Sequence, residues 1–230
     1  MAQSEVWERE YKQQLLVTRG EQPQASVARF FKTLRKEKIT LEGVYVLDLG
    51  CGIGRNALYC AQQGAIVVGI EISKEALKIA KERMREAKVK VEYVHGDIGS
   101  VLPFGDNFFD VILDVTSSNS LSESERAIYL QETTRVLQPD GRMFVRALCK
   151  DGDVNAKRLL KDHPGKEKDT YIMPELGLVE RVFSREDFLT AYKPYFNVYF
   201  FEKETHYSMF NGTRYRRNYW IAYMKKNLDA

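Results

Sequence analysis

The sequence predicts an α/β fold in which a mostly parallel sheet carries helices on both faces. Three observations support this. Short β-branched apolar runs alternate with segments of helical composition over the first two thirds of the chain, the runs end in turn residues, and the last third changes to aromatic-rich strands. Parallel strands need crossover connections, and right-handed crossovers dominate, so this serial alternation implies a doubly wound sheet.

Residues 44–49 form a compact apolar run that ends at a glycine-rich turn, and residues 55–63 continue with helical character until Gly64 stops them. Residues 66–72 are β-branched, and Ser73 then caps a helix of Lys, Glu, Ala and Arg running to about residue 87. Residues 89–94 alternate apolar with polar and 109–115 are apolar throughout their centre. Residues 122–137 read as a helix ended by Pro139-Asp140-Gly141, a turn that launches a strand over 142–149. Beyond, 184–192 is helical in composition, while 197–203 and 217–226 are strand-like and suited to antiparallel pairing at a sheet edge. Asn211-Gly212 between them is a turn signal, with flanks too irregular for a tight two-residue hairpin. Ahead of the first strand, 25–38 is helical, and Trp7 and Tyr11 lie four apart on an earlier helix. We read residues 1–230 as one domain: a helical cap over 1–40, a ligand-binding core over 41–150, and a C-terminal sheet edge with the substrate side over 151–230.

Composition excludes several classes. Hydrophobic residues make 44% and charged residues 29%, and the longest apolar runs, such as 65–70, fall far short of a membrane-spanning helix. A start of Met-Ala-Gln-Ser-Glu lacks the basic and apolar regions of a secretory signal, so the expected location is cytoplasmic. Three cysteines without a CxxC pair argue against both a disulfide framework and a structural metal site. The net charge of +3 resides in residues 201–230, and the near-neutral remainder argues against wrapping a long nucleic acid. No heptad or apolar stripe sets an oligomeric state.

The chemistry concentrates in Asp48-Leu49-Gly50-Cys51-Gly52-Ile53-Gly54-Arg55. Glycines at alternate positions after a strand let the chain turn tightly and let a ligand approach bare backbone, where a helix N-terminus offers free N–H groups. A nucleotide-like ligand suits such a loop. Glu71 ends the second strand, where a carboxylate can accept both hydroxyls of a ribose, and Asp97 follows the third, placed to accept an adenine amino hydrogen bond beside the Ile98 N–H. Each acid, taken singly, is equally a solvated loop carboxylate. A nicotinamide dinucleotide competes for the loop, but its fingerprint needs a small residue where Arg55 stands. Cys51 reads as a small loop side chain rather than a nucleophile.

These pieces, together with Phe109-Asp110-Val111-Ile112 and Leu137-Gln138-Pro139-Asp140-Gly141-Arg142, resemble the class I S-adenosylmethionine-dependent methyltransferases over roughly residues 40–150. Residues 54–59 are similar, more softly, to the tellurite-resistance and related small-molecule branches. The resemblance implies a Rossmann-like seven-stranded sheet with its last strand antiparallel, and S-adenosylmethionine as cofactor. It also implies a cofactor set of Asp48, Gly50, Cys51, Gly52, Gly54, Arg55, Glu71, Ile72, Asp97, Ile98 and Asp114, with Glu71 on the ribose, Asp97 and Ile98 on the adenine, and the glycine loop on the methionine part.

Methyl transfer from a sulfonium needs an in-line pose and somewhere for a proton to go, so no triad is required, and His95, His163 and His206 are read as surface or structural. Asp114, near the end of the fourth strand, could bind the methionine ammonium, orient a nucleophile or satisfy backbone groups. On the substrate side, Arg146 at the end of the fifth strand is a candidate for an anionic group or for an ion pair. Tyr207 and Arg214 belong to a basic, aromatic stretch that could stack bases or form an ordinary strand, and Trp7 and Tyr11 suit a lid over the mouth. The expected function is methyl transfer to oxygen, nitrogen or sulfur of a small molecule. An RNA (tRNA) methyltransferase using the C-terminal stretch, and a non-catalytic cofactor-binding partner subunit, are the alternatives.

Overall fold

The computed structural model describes residues 3–13, 20, 22–210 and 213–227. Two helices, α1 (Ser4–Gln13) and α2 (Ala25–Lys36), precede the core. The core then alternates β1 (Tyr45–Leu49), α3 (Arg55–Gln62), β2 (Ile66–Glu71), α4 (Lys74–Ala87), β3 (Glu92–His95), β4 (Phe109–Val115), α5 (Glu123–Val136) and β5 (Leu137–Leu148). After it come α6 (Val154–Asp162), a small hairpin of β6 (Thr170–Ile172) and β7 (Val179–Arg181), α7 (Arg185–Tyr192), and the long strands β8 (Phe196–Phe210) and β9 (Thr213–Lys226).

The main sheet has seven strands in the order β3-β2-β1-β4-β5-β9-β8, and β9 runs antiparallel to both of its neighbours. This is the Rossmann-like sheet the sequence predicts. Alternation along each strand splits the apolar side chains into two layers. Val46, Phe144 and Tyr223 face one layer, while Leu47, Val145 and Trp220 face the other. Phe30 of α2 anchors the first layer, its ring 5.4 Å from Phe144 and 4.9 Å from Tyr223. Phe188 of α7 anchors the second, 5.0 Å from Phe201.

Helix starts follow local chemistry. The Ser73 side chain accepts the Ala76 N–H, and Ser122 forms a reciprocal capping box with Glu125. Two expectations need correction. Pro139-Asp140-Gly141 does not precede a new strand but lies inside β5, which starts at Leu137. The pairing jumps from Phe109 opposite Leu137 to Val111 opposite Arg142, so these residues bulge out of the ladder, where proline's missing N–H costs no bond. The C-terminal strands are also longer than 197–203 and 217–226. The β8–β9 pairing runs on to Phe210 opposite Thr213, past the end of β5 at Tyr219. The Asn211-Gly212 turn falls outside the described residues.

The strand order reverses between β1 and β4, and at such a switch point the loops leaving the carboxyl edge diverge and open a crevice. Among the described residues no helix is long and apolar enough to cross a membrane, and no cluster of side chains is suited to a metal ion.

Candidate functional site

A cavity of about 770 Å³ lies at that carboxyl edge. Its floor is the loop after β1. Gly50 and Gly52 have φ of +60° and +55°, and both are crowded: a Cβ on Gly50 would lie 2.5 Å from Ser117 Cβ, and one on Gly52 2.6 Å from the Tyr11 hydroxyl. The glycines thus serve conformation and close approach together. Gly54 caps α3 at φ +79° behind the floor and does not line the cavity.

Glu71 clamps this loop. Its Oε2 accepts the Gly52 N–H and its Oε1 the Ser73 N–H, each at 2.9 Å, and burial raises the carboxyl pKa. A carboxylate offers about four acceptor positions, and the backbone donors, the Ile72 N–H among them, leave part of that capacity for a ligand. Cys51 is buried and its thiol is pushed far up by that burial, which leaves it no nucleophilic role. Ile72, Asp97 and Ile98 line the cavity, and Asp97 Oδ1 accepts the Gly99 N–H at 2.8 Å, holding the loop after β3.

Two acids stand behind the surface rather than on it. Asp48 is 1% exposed, has an unpartnered Oδ2, and burial lifts its pKa to about 7. Asp114 is fully buried: Oδ1 accepts the N–H groups of Ser117 (2.9 Å) and Ser118 (3.3 Å), and Oδ2 accepts the Tyr129 hydroxyl at 2.7 Å. Of the three roles open to Asp114, the structure displays the last, satisfying backbone groups.

The roof is α1. Gln3, Trp7 and Tyr11 face the cavity, and Tyr11 is buried. Gln3 donates to the carbonyls of Ser120 and Val179, both at 2.7 Å, while Glu8 accepts from Ser73 Oγ at 2.8 Å and from the Glu75 N–H at 3.2 Å. The helix is therefore tied down at both sides of the opening. Arg55 lines the cavity beside it and reaches Gln24 Oε1 at 3.2 Å.

The far wall comes from β5, α6, the loop before β7 and the β8–β9 hairpin. Arg146 and Tyr207 line it, whereas Arg214 does not; its guanidinium lies 3.8 Å over the exposed Tyr207 ring. His206, read from sequence as surface or structural, faces the cavity, with Nε2 3.0 Å from Glu204 Oε1. Arg217 also lines it, bonded to Asp153 Oδ2 at 3.3 Å and the Tyr171 hydroxyl at 2.9 Å. Sequence reasoning passed over Asn155, Arg158, Leu159, residues 173–175 and Glu180, which also line this wall, because no short-range pattern marks them.

Comparison with known proteins bears on this geometry. Residues 46–141 match the family model for a methyltransferase domain. Methyltransferase GfsG of Streptomyces halstedii is 31% identical over 116 residues, 49% of this chain and 41% of that protein. Among solved structures, a SAM-dependent methyltransferase from Methanosarcina mazei superposes with a TM-score of 0.71 at 24% identity, covering 84% of this chain and 96% of that one. The 1,6-didemethyltoxoflavin-N1-methyltransferase of Burkholderia thailandensis gives 0.70 at 16% identity, covering 98% and 88%. Residues 46–141 thus match a methyltransferase domain and are set in a Rossmann-like sheet shared with S-adenosylmethionine-dependent methyltransferases of known structure. The chain spans about half the length of the curated relatives it matches.

Proposed function

We propose that this protein transfers the methyl group of S-adenosylmethionine to a heteroatom of a small acceptor. The observation that carries the reading is the convergence of Glu71, the Gly50–Gly52 backbone and Asp97-Ile98 on one cavity, at the ends of three adjacent parallel strands. The remaining acceptor capacity of Glu71 suits ribose hydroxyls. Asp97 and the Ile98 N–H suit the polar edge of adenine, and the bare loop suits the methionine part. Arg55, which donates to the neutral amide of Gln24 at 3.2 Å, suits the methionine carboxylate. The bound cofactor supplies an activated methyl group. The chain's own residues position the acceptor in line, and α1 keeps water out.

A small acceptor is favoured because the cavity, at about 770 Å³, lies within the range of small-molecule sites and is roofed by α1. The Burkholderia neighbour likewise holds 1,6-didemethyltoxoflavin with S-adenosylhomocysteine. Calorimetry with S-adenosylmethionine, S-adenosylhomocysteine and NAD tests the reading. Both sulfur ligands bind the wild-type protein and NAD does not; Glu71→Ala with Asp97→Ala weakens them by roughly 100-fold, two lost charge-assisted contacts. Failure of a folded wild-type protein to bind either sulfur ligand would sink the proposal.

A further inference from the structure

Arg146 is 7% exposed, faces the cavity from the end of β5, and has no carboxylate partner among the described residues. Its Nε is buried without an acceptor, and its guanidinium lies 3.3 Å over the ring of Tyr219. Arg126 and Arg181 share the unpartnered Nε, but their terminal nitrogens are held: Arg126 donates to the Ser118 and Leu121 carbonyls, both at 2.8 Å, and Arg181 pairs with Glu123 at 3.1 Å. Glu204 attracts Arg146 from a distance but is itself shared with Arg29 at 3.9 Å and His206 at 3.0 Å. Tyr219 thus holds Arg146 through its ring and a side-chain hydrogen bond, but supplies no negative charge, and a buried cation without a counter-charge is costly unless something anionic arrives.

Resting on the methyltransferase reading, we infer that the acceptor carries a carboxylate and that Arg146 grips it, with the Tyr219 ring fixing the plane of the guanidinium. The charge of the group follows from the cavity's other cations. Arg217 is already neutralised by Asp153 at 3.3 Å, and Arg55 stands beside the loop assigned to the cofactor's own carboxylate. Arg158, also on the lining, is exposed to solvent, so Arg146 is the buried cation left without a carboxylate partner among the described residues, and its planar fork matches a planar monoanion better than a tetrahedral dianion. Trp7 and Tyr215 on the same cavity supply apolar faces, so aromatic acids are the natural probes.

The test is calorimetric titration of the S-adenosylhomocysteine-loaded protein with benzoate, 4-hydroxybenzoate and indole-3-acetate, against their primary amides and phenyl phosphate. At least one acid binds, its amide and phenyl phosphate bind about 10-fold or more weakly, and Arg146→Gln lowers the acid's affinity to that of the amide. In the same variant S-adenosylhomocysteine affinity stays within about twofold, which also reports a folded site; Arg146→Lys, which keeps charge but loses the fork, substitutes if the glutamine variant does not fold. The inference is overturned if no acid binds, if acid and amide bind alike, if phenyl phosphate binds best, or if Arg146→Gln spares the acid. Loss of S-adenosylhomocysteine affinity in a folded Arg146 variant also overturns it, by giving Arg146 to the cofactor. Wild-type protein that fails to bind S-adenosylhomocysteine would instead overturn the underlying methyltransferase reading.

Discussion

Asp48 shows how a single side chain links the site to stability. It is the last but one residue of β1, beneath the glycine loop, and burial raises its pKa from 3.8 to about 7. The folded state therefore holds a proton that the unfolded chain releases. The stability this gives is fully present below about pH 4 and is lost as pH rises to about 7, up to about 4 kcal/mol at 1.36 kcal/mol per unit. Asp48→Asn, which cannot ionise, should flatten the stability profile between pH 4 and 7 and be the more stable form at pH 8. Urea denaturation of both proteins at pH 5 and pH 8 measures this, and parallel profiles would count against a buried, titrating Asp48. Glu71 was legible as a ligand residue from its place at a strand end. Its second task, clamping Gly52 and Ser73, was not, because those N–H groups are brought to it by the turn of the loop.

At the scale of elements, α1 is the part that separates an open crevice from a roofed cavity. Its link to α4 runs through Glu8, which accepts from Ser73 and Glu75. Glu8→Ala removes both acceptors while leaving the caps of the core helices in place, since Ser73 Oγ still accepts the Ala76 N–H at 3.1 Å. We expect S-adenosylhomocysteine to dissociate about 10-fold faster from this variant, for the loss of two hydrogen bonds to a charged group that together hold the roof, with little change in melting temperature. Stopped-flow displacement gives the rate, and an unchanged rate would make α1 ordinary packing. The sequence marked this helix through the spacing of Trp7 and Tyr11, whose rings lie 6.1 Å apart. It did not mark the anchor, which lies 65 residues away along the chain.

Across the whole molecule, ligand binding and folding are one equilibrium. At a hundredfold excess over Kd, S-adenosylhomocysteine should add about 2.7 kcal/mol of stability and raise the melting temperature by roughly 5–11 °C for a chain of this size. The β8–β9 hairpin separates the small-molecule reading from an RNA one. Arg217, chargeable on sequence grounds to a basic surface, is tied into the wall by Asp153 and Tyr171, which leaves Arg214 and Arg216 as its exposed arginines. Arg214→Ala with Arg216→Ala should change neither S-adenosylhomocysteine affinity nor any turnover measured by methyl labelling. Salt-sensitive RNA binding that the double variant abolishes would favour the RNA alternative instead.

The order of strands and helices through the core was readable from the chain because each element there is specified locally. Apolar runs of strand length, Ser73 and Ser122 at helix starts, and glycines where the backbone must turn left all act within a few residues of themselves. Of the residues expected to hold a cofactor, those at the ends of β2 and β3 and in the glycine loop reach the cavity because local pattern already places them at strand ends, whereas Asp48, Gly54 and Asp114 stand behind it. What only the tertiary structure decided is the rest. Whether Arg146 meets a carboxylate or an empty space, whether His206 and Arg217 face a cavity or solvent, and whether Asp114 touches a ligand or its own loop depend on contacts between residues far apart in sequence. Such contacts arise when β9 inserts beside β5 and brings the C-terminal hairpin against the carboxyl edge, a placement that no window of neighbouring residues encodes.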